Sequence, residues 1–209
     1  MSGRRMRKML RRMESGEPVR VTGPTTTGLA RLAAMAEQFG YAYAETRQGG
    51  GPQGNQYIIV IVPDPGPGAR ARAARNRARY PRAADGGELP RLAPEAVELL
   101  KARVTFDITT MYTNGQLILL AGVGAVPPAL ALGLVIGADT TAVTLLTCVL
   151  WAAMMALVPL GFAVNRRYRA RYAAILRNAG FTPVTDEGGR LRYLPPGGTR
   201  PGHGTPTAG

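Results

Sequence analysis

Two long apolar runs that carry no charge constrain this chain more than anything else in it. Residues Gln116–Ile136 read QLILLAGVGAVPPALALGLVI, and residues Ala142–Val164 read AVTLLTCVLWAAMMALVPLGFAV. As a helix, at ~1.5 Å per residue, each run matches the ~30 Å hydrocarbon core of a bilayer. A soluble core helix of that length normally shows a polar stripe, and neither run has one. Only Gly137 to Thr141 lies between them, with Asp139 its single charge. So short a turn makes the two helices antiparallel neighbours. The expected fold is a membrane α-helical hairpin of two transmembrane helices with small cytoplasmic α+β flanking regions.

Orientation follows from the flanks. Arg91, Lys101 and Arg103 precede the first run, and Arg166, Arg167, Arg169 and Arg171 follow the second. Basic flanks stay on the cytoplasmic side. The expected location is therefore the cell (inner) membrane with both termini cytoplasmic and Asp139 outside. Pro127, Pro128 and Pro159 fall within the runs and are expected to kink them, as membrane helices tolerate. Ala125, Ala129, Gly133 and Gly137 recur every four positions on one face, where small residues let helix backbones approach. That face suits the second run or another copy of the chain.

The formal net charge is +13. Residues 1–115 hold 18 basic against 10 acidic side chains, and residues 165–209 hold 8 against 2. Both flanks suit polyanions, either anionic lipid headgroups or nucleic acid. Only Lys8 and Lys101 are lysine. Heavy Arg, Ala, Gly and Pro usage resembles an actinobacterial, high-GC composition, so part of the arginine excess reflects codon bias. The single cysteine, Cys148, rules out a disulfide within one chain. The basic start meets no apolar stretch before the first run, so no cleavable leader is expected.

In order, residues 1–16 form a basic amphipathic segment. Met6, Met9, Leu10 and Met13 share one helical face, and Arg4, Arg5, Arg7, Lys8, Arg11 and Arg12 cover the rest. Such a helix suits an anionic membrane surface. Residues 17–64 read as a β-α-β-β unit. Pro18–Thr22 is a strand, Gly23 to Thr27 supply a turn and a helix N-cap, and Leu29 to Phe39 form an amphipathic helix ended by Gly40. Tyr41–Arg47 and Gln56–Val62 are strands around a Gly-rich turn. Thr22–Gly28, TGPTTTG, is set like a phosphate-cradling loop but lacks the Gly-Lys-Ser/Thr ending such loops need.

Residues 65–91 read as a linker rich in Arg, Pro and Gly. Arg70, Arg72, Arg75, Arg77, Arg79 and Arg82 crowd it with arginine nearly all round, so no packing face is expected and phosphate contact is. Residues 92–115 form an amphipathic juxtamembrane helix with Val97, Leu100, Val104, Ile108 and Met111 on its apolar face. The hairpin occupies 116–164. Residues 165–195 add a basic helix ended by Gly180 and a β-hairpin, and 196–209 are a tail of disordered composition. The two α-β-β stretches echo one another: they could pair into one sheet, but a generic recurrence of helix, cap and hairpin is the favoured account of the echo.

Catalysis is not expected. His203 is the only histidine, Ser2 and Ser15 the only serines, and no Ser-His, Cys-His or metal-ligand set assembles. No catalytic, cofactor or metal residues are assigned. The binding expectations are Arg4, Arg5, Arg7, Lys8, Arg11, Arg12, Arg70, Arg72, Arg75, Arg77, Arg79, Arg82, Arg166 and Arg167 for anionic lipid or nucleic acid. These features point to a non-enzymatic inner-membrane anchor or adaptor. It would present a basic cytoplasmic module to a protein partner or to itself. A DNA-associated membrane component, as in conjugative transfer, and a small pore or transporter subunit are the alternatives.

Overall fold

The computed structural model describes residues 3–49, 56–111, 116, 141–186 and 189–196. It is mixed α+β with small sheets. The chain divides into two units. One comprises Met1–Met111 together with Tyr172–Gly209, and the other is Tyr112–Arg171.

In the first unit, helix α1 (Gly3–Met13) leads to strand β1 (Val19–Gly23). Thr25 caps helix α2 (Thr26–Gln38), its hydroxyl accepting from the Gly28 amide at 3.3 Å. Strands β2 (Tyr41–Gly49) and β3 (Gln56–Pro63) follow. The sheet order is β1-β3-β2, all antiparallel, with an irregularity between Tyr43 and Glu45 that leaves Ala44 outside the register. β2 is thus an outer strand. Leu29, Leu32, Ala33 and Ala36 of α2 pack with Ile59 and Ile61 of β3, all almost fully buried.

α1 closes this core. Met6, Met9, Leu10 and Met13 are each no more than 5% exposed. The apolar face expected to lie on a membrane is therefore spent on the protein's own interior. Burial there removes more apolar area from water than an interfacial helix could.

The arginine run also departs from expectation. It is a helix, α3 (Pro67–Arg79), and it has a packing face: Ala69 and Ala73 are buried. Alanines four apart beneath a ring of arginines let the helix backbone approach closely. Gly40, at φ +84°, meets that face, and a Cβ there would stand 2.8 Å from Ala73 Cβ. A short 3-10 turn (Ala83–Asp85) then leads to α4 (Pro94–Thr109).

α4 is buried on two sides. Val97, Leu100 and Val104 join the α2–sheet core. Ala102 and Phe106 join a second cluster with Leu176 and Tyr193, in which the Phe106 and Tyr193 rings meet edge to face at 4.9 Å. Leu176 belongs to the end of α5 (Thr141–Asn178), and Tyr193 to the two-stranded sheet of β4 (Thr182–Thr185) and β5 (Leu191–Leu194). The five strands do not pair into one sheet as the internal echo suggested. The second α-β-β stretch packs through side chains on α4 instead.

In the second unit, α5 is continuous through the point where a span and a separate basic helix were expected, with Pro159 inside it. Among the described residues one helix, Cys148–Asn178, is long and apolar enough to cross a membrane. Leu145, Val149, Leu157 and Leu160 are each more than 60% exposed. The rest of the expected first span lies outside the described residues. So do Pro127, Pro128, Asp139 and the small-residue face of Ala125, Ala129, Gly133 and Gly137.

The Gly40 contact gives a direct test. Gly40→Ala combines a left-handed backbone with a clash against Ala73, and should destabilise the first unit by roughly 2–3 kcal/mol in denaturant unfolding. Gly16, also at positive φ but with nothing within 4 Å, provides the control. Gly16→Ala should cost only the backbone penalty of about 1 kcal/mol.

Candidate functional site

α4 carries Arg103 and Asp107 four residues apart, between its two apolar faces. Both are largely buried: Arg103 is 6% exposed and Asp107 3%. Isolated charges in such surroundings are costly, so their partners define the site.

Asp107 is met by a relay of hydroxyls. The Tyr43 hydroxyl donates to Asp107 Oδ2 at 2.5 Å, and shares a second short bond, 2.5 Å, with Thr46 Oγ1. With the Tyr43 proton committed to Asp107, Thr46 must donate to Tyr43. Burial, then the neighbouring carboxylate, pushes the Tyr43 phenol well above its ordinary value, so it stays a donor. Burial also raises Asp107, against the lowering effects of the Tyr43 bond and of Arg192, Arg103 and Arg190.

β5 supplies the opposing cation. Arg192 Nη2 stands 3.5 Å from Glu45 Oε2 and 4.0 Å from Asp107 Oδ2, and donates to the Ala44 carbonyl at 3.0 Å. Glu45 also accepts from Arg47 Nε. The irregularity in β2 exposes the Ala44 carbonyl to this bond.

Arg103 is held differently. Its guanidinium lies 4.7 Å from the centre of the Tyr43 ring and 5.7 Å from that of Phe181. Among the described residues no carboxylate pairs with it and no acceptor bonds it. It lines a cleft of about 620 Å³ together with Glu37, Asp64, Arg72, the β2 segment Tyr41–Ala44 and the prolines after β5. Burial raises the Glu37 carboxyl, opposed by Arg103 and Arg72. Burial lowers the Arg103 guanidinium, which Tyr43, Asp107 and Glu37 counter.

The residues expected to bind anions fall elsewhere. Arg4, Arg5, Arg7, Lys8, Arg11 and Arg12 stay exposed on α1, where Arg4, Arg7, Lys8, Arg11 and Arg12 line a shallow basic concavity. Arg11 is partly neutralised by Asp85 at 2.9 Å. On α3, Arg70, Arg75, Arg77, Arg79 and, beyond it, Arg82 are exposed, and Arg72 is half-buried. Arg72 Nε and Arg77 Nη2 donate to the Glu37 and Phe39 carbonyls, at 2.8 and 3.4 Å. Arg166 and Arg167 are exposed on α5 in the second unit. Arg103, counted above as a basic flank of the first span, is interior. Its burial and that of Asp107 escape a reading of one sequence. The available signal was the apolar character of Leu99, Ala102 and Phe106, off the expected core face of α4.

Among the described residues no group of three His, Cys, Asp or Glu side chains converges as a metal site. Comparison with family models, curated proteins and solved structures finds no match for this chain.

Two substitutions test the site. Tyr43→Phe keeps the ring beneath Arg103 and removes only the hydroxyl, stranding Asp107 and Thr46. It should cost about 1–3 kcal/mol, read by denaturant unfolding. Glu37→Gln tests the desolvated carboxyl through pH. Because the folded-state value of Glu37 is raised, its contribution favours folding below the ordinary value near 4.5 and is lost as pH climbs through the raised one. Relative to wild type, Glu37→Gln should therefore gain stability over that interval and then level off. Unfolding midpoints at successive pH values measure this, and a pH-independent difference would contradict it.

Proposed function

We propose that the chain is a non-enzymatic membrane anchor whose first unit is a cytoplasmic binding module, tethered by a two-span helical hairpin. One observation carries this reading. Residues on both sides of the apolar region fold into a single unit, 1–111 with 172–209. The chain between must leave and return to the same side. If it crosses a bilayer it crosses an even number of times, and its length allows two crossings. The exposed leucines and valines of α5 support lipid contact, since no packing in the described residues removes them from water. Basic residues in both flanks support a cytoplasmic placement.

The module's surface suits an adaptor more than an enzyme. Its basic helices α1 and α3 present exposed arginines to headgroups or to an acidic partner. Because the apolar face of α1 is buried, any contact of that helix with a membrane is electrostatic and should weaken with salt.

Cysteine accessibility tests the topology. Cys148 is the only cysteine, so membrane-impermeant maleimide should leave it unlabelled in intact cells. On a Cys148→Ala background, Ala138→Cys should label from outside, and Ser15→Cys only after permeabilisation. External labelling at Ser15→Cys, or release of the protein from membranes by alkaline carbonate, would sink the proposal.

A further inference from the structure

The cleft beside Arg103 has the makings of a ligand site. It is about 620 Å³, within the range of binding cavities. One wall contains a cation that is nine-tenths buried yet, among the described residues, lacks a hydrogen-bond acceptor or ion pair. Arginine presents a planar fork of donors, and the Tyr43 and Phe181 rings hold that fork in place. A group with two oxygens in one plane satisfies it bidentately.

The charge of that group is limited. Glu37 and Asp64 line the same cleft, balanced in number by Arg72 and Arg103. A phosphate, at about −1.5 to −2, would face both acidic side chains. A singly charged group on the Arg103 fork meets less opposition from Glu37 and Asp64 than a doubly charged one. The cleft also runs along Tyr41–Ala44 of β2, the outer strand of its sheet. Among the described residues no strand pairs with that edge, and Arg192 donates to its Ala44 carbonyl. An extended backbone can add to such an edge, with apolar contacts from Leu99 and Phe181 alongside.

We propose that this cleft binds the terminal carboxylate of an extended peptide, with Arg103 as the carboxylate receptor and the outer edge of β2 pairing its backbone. This rests on the adaptor reading and gives the partner's chemistry: a protein segment ending in a free carboxylate beside apolar residues. Glu37 and Asp64 disfavour more highly charged anions.

The test uses the full chain in nanodiscs and dye-labelled hexapeptide pools of mixed sequence, as free acids and as C-terminal amides. Fluorescence polarisation should show the acid pool binding at least about tenfold more tightly than the amide pool. Arg103→Gln should lower acid-pool binding by at least about tenfold. Ala96→Trp, which fills the cleft from α4 and leaves Arg103 in place, should do the same, so the outcome does not hang on one variant folding. Both variants should stay in the carbonate-resistant membrane fraction, which separates loss of the site from loss of the anchor. Absent binding of the acid pool, equal binding of acid and amide, or tighter binding of a phosphorylated pool would overturn the proposal. Competition by N-acetylalanine as strong as by the hexapeptides would overturn the backbone-pairing half and leave a small-carboxylate site.

Discussion

The first unit depends on how α4 accommodates two largely buried charges. One face of α4 packs on the α2–sheet core and another on Phe181, Leu176 and Tyr193. Arg103 and Asp107 are caught between. Removing a charge from water costs several kcal/mol unless partners replace the hydration. For Asp107 those partners are Tyr43, backed by Thr46, and Arg192. Tyr43 and Thr46 come from β2, whereas Arg192 comes from the far end of the chain. The unit therefore cannot complete its interior electrostatics without residues that follow the apolar region.

That dependence has a topological consequence. The C-terminal segment supplies Tyr193 to the Phe106 ring and Arg192 to Asp107 and Glu45. The excursion over residues 112–171 must close on itself for these contacts to form. Loop-closure entropy grows slowly, by about 0.6 kcal/mol for each doubling of length, so an excursion of this size is tolerable. Where the excursion is embedded in a bilayer as two antiparallel helices, closure is helped further, because the hairpin returns the chain beside its point of departure.

Much of the fold was legible where local chemistry is self-announcing. Thr25 caps α2, Gly40 takes a positive φ after it, and the β-branched run at Gln56 forms the central strand. The apolar face of α1 was legible as a face, but amphipathicity does not say whether lipid or protein covers it. α3 was missed because alanine gives little hydrophobic signal, although its small size is what lets two helices approach. The buried pair on α4 was missed for a deeper reason. A charge is assigned outward unless its partners are known, and Tyr43, Thr46 and Arg192 lie far from it in sequence. The cleft, built from α2, β2, α4 and the residues after β5, was invisible on the same ground.

The arginine run shows how a compositional signal divides once structure is available. Arg72 and Arg77, with Asn76 donating to the Gln38 carbonyl at 2.8 Å, bond the last carbonyls of α2 and the residue after it. Those carbonyls form the negative end of the α2 macrodipole, where cations are favourable. Part of the run is therefore a C-terminal cap supplied by a neighbouring helix, and its charge is committed to that role. Arg70, Arg75, Arg79 and Arg82 are left at the surface without such a bond, and Arg77 is exposed as well. A polyanion contacting this face would meet fewer free charges than the sequence count implies. Salt dependence scales with the phosphates neutralised, so this face is less like a nucleic-acid platform than its composition suggests. On the proposed reading these arginines would face headgroups while recognition is left to the cleft.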